Sequence, residues 1–199
     1  MVTVETQAYS RYEIQGRASG ILIMTLFGAG WASTADYGPI LYVSIAIISL
    51  VLIISGVYML VQARRLPKHT SIEAQKQGRS VAKRFYLVFA LEVIAIFIAA
   101  RSLSMFNHSE LIIPVIGLVV GLHFLPLAKL FGIRLYYLSG LLLSLLAILT
   151  ILAQLVGVTP GTVGTWSSID GLGNAIILWL TSLYLLATCW HMLSYHNSL

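Results

Sequence analysis

Charged residues are scarce in this sequence. Asp, Glu, Lys and Arg together make up 10% of its 199 residues, whereas hydrophobic residues make up 58%. Soluble domains carry about a quarter charged residues, which keep their surfaces in contact with water. The shortage of charge therefore excludes an ordinary water-soluble fold, because a chain of this length could not hide so much apolar surface.

Cysteine and the common enzyme motifs are also nearly absent. The one cysteine, Cys189, excludes an intrachain disulfide. The sequence has no H-E-x-x-H zinc motif, no glycine-rich phosphate loop and no G-x-S-x-G nucleophile motif. These absences predict no metal and no cofactor, and they favour no enzyme class.

Long apolar runs dominate what is present. A helix that crosses the ~30 Å hydrocarbon core of a bilayer needs about 20 apolar residues. Six such runs predict an all-α, polytopic integral membrane bundle, with one transmembrane domain over residues 18–199 after a polar N-terminal tail, 1–17. The predicted spans are residues 18–35, 40–63, 85–100, 111–128, 135–156 and 172–193.

Basic residues lie on one side of the implied membrane. With six spans, all but one of the 12 Lys and Arg residues fall on the side of the two termini, and the loop 64–84 holds most of them. By the positive-inside rule that side, with both termini, is cytoplasmic. Orientation and anionic lipids at the 64–84 loop explain the net charge of +5, so we expect no nucleic acid partner. In size and layout the chain resembles small multi-span bacterial membrane proteins, which implies the bacterial inner (plasma) membrane.

The first apolar run has an alternative interpretation as a cleaved signal peptide. Arg11 and Arg17 would form its charged region, and Ser33–Ala35 would form a cleavage site of small residues. The turn that follows leads directly into another span, as in a helical hairpin, which favours a transmembrane helix. The charge count does not decide between the two, because removing the first run changes the side of no later loop.

Glu92 is the most informative single residue, because a carboxylate inside a bilayer must be protonated, paired or facing water. It lies about 10 Å inside the cytoplasmic boundary of the third span. His123 lies at a similar depth in the fourth span, which runs in the opposite direction, so the two could meet as a proton relay or half of a metal site. The alternatives are a neutral acid bonded to another helix, and a histidine bonded to a carbonyl freed by Pro126.

Glycine and proline mark the fourth span. Pro114 and Pro126 predict a kinked helix, and Gly117 and Gly121 form a small-residue face that allows close helix packing. Broken helices also frame binding sites in transporters. Packing is the commoner explanation of such a pattern.

Three further residues are secondary candidates for a substrate site. Arg101 is the one basic residue on the outer side. Asp170, together with Asp36 and Glu110, gives that outer mouth a weak preference for cations. His191, near the cytoplasmic end of the sixth span, could serve with His123 as an axial haem ligand, although snorkelling to the interface is the simpler explanation.

These features favour a small solute or proton-coupled transporter or permease with a site near Glu92 and His123. Transport predicts that both side chains face a common polar cavity. The alternative is a membrane scaffold or regulatory subunit, in which the helices pack against partner helices or a second copy of the chain. An intramembrane enzyme or haem protein using His123 and His191 is the third hypothesis.

Overall fold

The structure, a computed structural model, describes residues 11–34, 38–66, 72–158 and 165–197. Within those ranges the chain is helical, which confirms the predicted all-α membrane bundle. A 3₁₀ turn, Ser109–Leu111, precedes the fourth helix. The six helices are α1 (Arg11–Ala32), α2 (Pro39–Arg65), α3 (Ile72–Met105), α4 (Ile112–Phe131), α5 (Leu135–Leu155) and α6 (Trp166–Asn197).

Five of the six described helices are long and apolar enough to cross a membrane. They are α2, α3 from Ser80 onward, α4 with its preceding turn, α5, and α6 as far as Ser194. α1 is not one of the five, and its first half carries Arg11, Glu13 and Arg17. Length and composition therefore support five of the six predicted spans.

Three helices begin earlier than the sequence predicted. α1 begins at Arg11, inside the predicted tail, whose residues 1–10 lie outside the described ranges. α3 begins at Ile72, so most of the predicted 64–84 loop is helical, because its Ala, Glu, Gln, Lys and Arg residues all favour helix. α6 begins at Trp166, because the Thr165 hydroxyl accepts a hydrogen bond from the Ser168 backbone N–H at 3.2 Å and caps the helix.

The helices contact one another in the order α2, α1, α6, α5, α4, α3, which is not their order in the sequence. The closest pairs are α1 with α6 and α4 with α5. Ile14, Ala18 and Ile21 of α1 are fully buried, so α1 belongs to the core of the bundle. The hydroxyls of Ser139 and Thr181, 2.7 Å apart, link α5 to α6.

The two ends of the bundle differ in charge. Arg11 donates a hydrogen bond of 3.4 Å to the carbonyl of Leu66, so the start of α1 and the end of α2 share one end. Arg84 and Arg134 lie at the same end by the alternation of the helices. We call this the basic end, and we call the other, which holds the 3₁₀ turn and the start of α6, the opposite end.

Candidate functional site

Glu92 of α3 and His123 of α4 come together between the two helices. Glu92 Oε2 lies 3.4 Å from His123 Nδ1, and the two side chains are 6% and 9% exposed. The distance suits an ion pair, but Nδ1 has no aligned hydrogen-bond partner among the described residues. The structure thus brings together the two residues that the sequence placed at one depth, in a loose contact.

The pair lies deep within the apolar parts of both helices. Glu92 is seven residues beyond Phe85, where the apolar run of α3 begins, and thirteen before Met105, where the helix ends. His123 is eight residues before Phe131, where α4 ends. At 1.5 Å per residue that is about 12 Å from the basic end of α4. Glu92 is eight residues beyond Arg84, the last charged residue before that run, so the two side chains lie at a similar depth.

Glu92 is the only buried side chain of α3 over residues 80–105. Just 6% of the most apolar stretch of α3 is buried inside the protein, against 44% for α4 and for α6. Large apolar side chains, such as Leu91, Phe97 and Ile98, point away from the bundle. Over residues 80–105, α3 therefore turns the Glu92 carboxyl toward α4 and its large apolar residues outward, where a bilayer would cover them.

The surroundings of the pair are apolar. Phe85 and Phe131 bring their ring centroids to 5.9 Å near the basic end of the α3–α4 contact, and Val88 and Ile96 pack against the core. With 6% and 9% of their surfaces exposed, Glu92 and His123 open onto no wide water-filled space. In the described part of the chain, the common polar cavity that transport predicted is therefore not found around the pair.

A groove of about 850 Å³ lies elsewhere, between α2 and α6 toward the basic end. Its walls are mainly apolar, with Ser55, Tyr58, His191 and Ser194 as polar members. His191 thus faces α2, whereas His123 faces α3, so the structure does not bring the two proposed haem ligands together. The described residues hold no group of three or more His, Cys, Asp or Glu side chains that could bind a metal ion.

Arg101 does not join the pair either. It is exposed near the opposite end of α3, nine residues beyond Glu92. In the same region His108 Nδ1 lies 3.1 Å from Glu110 Oε1, and both side chains are more than half exposed. The sequence analysis did not predict this second pair, although a histidine and a glutamate two residues apart precede α4 in the sequence. This exposed pair is a control for Glu92 and His123, because it joins the same two types of side chain at the protein surface.

Asp170 is not at the outer mouth where the sequence placed it. It lies in the first turns of α6 and is fully buried. The Thr165 cap extends α6 back through the predicted loop, and this carries Asp170 inside the bundle. There it accepts a hydrogen bond of 3.0 Å from Asn174 Nδ2. Asp36, which was assigned to the same mouth, lies outside the described residues.

The glycines of α4 lie where neighbouring helices come closest. A Cβ atom at Gly121 would overlap the Ser144 hydroxyl and lie 2.7 Å from the Ser144 backbone nitrogen of α5. At Gly117 it would lie 3.0 Å from Asn174 Nδ2 of α6. Pro114 is also buried, and α4 continues as one helix through Pro126. Close packing of the helices therefore accounts directly for the positions of these residues.

Comparison with known proteins gives no further guide to this chain. A scan against protein-family models, a search of curated proteins and a search of solved structures each found no match. The chemistry of the site therefore has to be read from its own geometry.

Proposed function

We propose that this chain is a proton-coupled membrane transporter in which Glu92 and His123 bind the proton. One observation carries the proposal: the only buried side chain of α3 over residues 80–105 is a carboxyl, and it meets an imidazole 3.4 Å away. Ionisable groups inside a membrane are costly, and they mark proton relays and transport pathways more often than passive packing.

The chemistry of the pair suits a proton that comes and goes. With one proton the pair is neutral overall, either as a carboxylic acid beside an imidazole or as a carboxylate beside an imidazolium. A second proton leaves a net positive charge, and removal of the proton leaves a net negative charge. Because either charge is costly in this apolar seam, the pair gains from opening toward water when its proton count changes.

The described structure shows this seam closed, without the polar cavity that transport predicts, so the proposal requires α3 to move, and the packing of α3 allows it. α3 packs on α4 and the 3₁₀ turn, and over residues 80–105 its remaining faces are largely exposed. Moving α3 therefore breaks one helix contact, whereas moving α4 would also disturb α5 and α6. In this proposal the pair releases or accepts its proton as α3 shifts against α4.

Infrared spectroscopy of the protein in detergent tests proton binding directly. The difference spectrum between wild type and Glu92→Gln should contain one carboxylic acid band, that of Glu92, which disappears as the pH is raised. Glu110→Gln is the matched control and should retain the band, because its carboxyl is exposed. A spectrum that is the same in wild type and Glu92→Gln at every pH would overturn the proposal.

Coupling to helix movement needs a second measurement. Phe85→Cys and Phe131→Cys, in a Cys189→Ala background, place two thiols across the α3–α4 seam for a short bifunctional reagent. The cross-linked protein should titrate its Glu92 band at a different pH from the same variant carrying two monofunctional labels. An identical titration would show that the proton and the position of α3 are independent.

The proposal includes the membrane in which the protein lies and its orientation there. We place the chain in the bacterial inner membrane, with the basic end in the cytoplasm and in contact with anionic lipids. Of the exposed arginines in the described ranges, all but Arg101 lie at that end, including Arg64, Arg65 and Arg84. Each basic residue near such a surface contributes about 1 kcal/mol to lipid attraction.

The exposed face of α3 favours the scaffold hypothesis as a second candidate. A helix with only 6% of its apolar stretch buried has room for a partner helix or a second copy of the chain. Light scattering of the purified protein in detergent separates the two ideas. A monomer with a titrating Glu92 supports transport, whereas a stable oligomer that dissociates on Phe97→Arg supports the scaffold.

A further inference from the structure

A second buried polar cluster lies at the opposite end of the bundle, where α4, α5 and α6 meet. Its members are Thr150 of α5 and Asp170 and Asn174 of α6, which are 1%, 0% and 0% exposed. The absence of a side chain at Gly117 lets the α4 backbone close over Asp170 and Asn174. Water and lipid are both kept from this cluster by three helices.

The hydrogen bonds inside the cluster do not satisfy its oxygens. Asn174 Nδ2 donates to Asp170 Oδ2 at 3.0 Å, and the Thr150 hydroxyl lies near the Asp170 carboxyl. Asp170 Oδ1 and Asn174 Oδ1 have no partner in the described structure. One turn beyond Thr150 on the same face of α5, Gln154 Oε1 is buried and unpartnered as well. A buried acceptor without a hydrogen bond destabilises the folded protein, so three in one region need an explanation.

The unsatisfied atoms are all acceptors. No described Lys, Arg or His nitrogen lies within 4.0 Å of Asp170, so its charge has no protein counterion among these residues. Carboxylate, amide carbonyl and hydroxyl oxygens are the ligands that hard cations prefer. With a single carboxylate in the cluster, one positive charge makes it neutral, whereas a divalent ion would leave a buried excess.

We propose that Asp170, Asn174 and Thr150 form a binding site for a monovalent cation, with Gln154 on its path to the opposite end. The shared chemistry is one positive charge that satisfies acceptor oxygens, supplied either as Na⁺ or as a proton on Asp170. This site is separate from the Glu92–His123 pair. The cation site lies where α4, α5 and α6 meet, whereas the Glu92–His123 pair lies between α3 and α4.

Thermal unfolding in detergent tests the site. At constant ionic strength, replacing choline by saturating Na⁺ should raise the melting temperature of the wild type by about 5 °C if the site takes Na⁺. If it takes a proton, Na⁺ has no effect and lowering the pH raises the melting temperature instead. Asp170→Asn should lose the response in either case, and Glu110→Gln should keep it.

Two outcomes would overturn the proposal. One is a wild type whose melting temperature depends on neither Na⁺ nor pH, and the other is an Asp170→Asn variant with an unchanged response. Thr150→Val keeps the carboxyl and the size of the side chain but removes one oxygen, so it covers the case in which Asp170→Asn does not fold. It should need about ten times more Na⁺, or a lower pH, for the same stabilisation, and a response equal to the wild type's would also overturn the proposal.

The melting test of the Asp170 site is independent of the function proposed for Glu92 and His123. Glu92→Gln should retain the Na⁺ or pH response of the Asp170 site, and Asp170→Asn should retain the infrared band assigned to Glu92. Failure of one site therefore leaves the test of the other intact.

Discussion

The contact between Gly121 and Gly140 joins α4 to α5 backbone to backbone, and Gly121→Ala should break it. A Cβ at Gly121 would lie 2.7 Å from the Ser144 backbone nitrogen and 3.0 Å from the Gly140 carbonyl oxygen. From the other side, a Cβ at Gly140 would lie 2.7 Å from the Gly121 carbonyl. Neither helix can relieve these overlaps by turning a side chain, so α4 and α5 must separate.

The magnitude follows from two opposing effects. Inserting a methyl group into a packed interface costs about 1–3 kcal/mol, and a clash with backbone atoms falls at the upper end. Replacing glycine by alanine within a helix returns about 1 kcal/mol. The net loss for Gly121→Ala is therefore about 2 kcal/mol, which lowers the melting temperature of a chain of this size by about 4–8 °C.

Gly30→Ala is the matched control, because Gly30 lies in α1 and a Cβ there would meet nothing within 4 Å. It should leave the melting temperature unchanged or raise it by about 2–4 °C. Circular dichroism of the two purified variants in the same detergent measures both. If Gly121→Ala melts at or above Gly30→Ala, the close approach of α4 and α5 is not what the structure indicates.

Three further predictions test the packing and the orientation. Cys189 is fully buried, so a thiol reagent should label it only after unfolding in strong detergent, and rapid labelling of the native protein would contradict its position. In a Cys189→Ala background, a membrane-impermeant reagent applied to whole cells should label Asn107→Cys and spare Arg84→Cys, whereas the reverse would invert the predicted topology. Ser139→Ala and Thr181→Val should each cost about 0.6 kcal/mol in unfolding free energy, and their double variant should cost no more than either if the 2.7 Å hydrogen bond is the cause.

The meeting of Glu92 and His123 could be predicted because it depends on two simple properties of the sequence. Adjacent spans run in opposite directions, and each residue advances about 1.5 Å, so equal depth follows from counting. Their distance of 3.4 Å and their enclosure could not be predicted, because the rotation of α3 about its axis depends on packing with α4. The role of the pair stays a prediction.

Asp170 could not be placed correctly by the same counting, because the start of α6 was misjudged. The segment before it is rich in glycine and threonine, which indicates a loop. The decisive signal was local: Thr165 caps the helix, and Asp170 and Asn174 are four residues apart and share one face. If Thr165 had been recognised as a helix cap, the sequence would have predicted Asp170 inside the bundle rather than at its outer mouth.

The order in which the helices pack against one another could not be predicted from the sequence either. α2 and α3 are joined in the chain, yet they lie at the two ends of the order of contacts. α1, which is not among the five helices apolar enough to span a membrane, packs most closely with α6 because small residues line its face, as where Gly28 meets Trp179. Hydropathy ranks the helices by contact with lipid and does not report which helices pack together.

The position of α4 between the two proposed sites determines how they can influence each other. Its glycine contact fixes it to α5, and its Gly117 face closes the Asp170 cluster, so α4, α5 and α6 form one unit around that cluster. α3 stands outside this unit and meets it through Glu92. Changing Glu92 should therefore move α3 and spare the cation site, whereas Gly121→Ala should shift α4 and weaken the cation response of Asp170. If Glu92→Gln abolished that response and Gly121→Ala preserved it, α3 would have to be part of the rigid unit, and the division between a fixed cation site and a mobile proton site would be wrong.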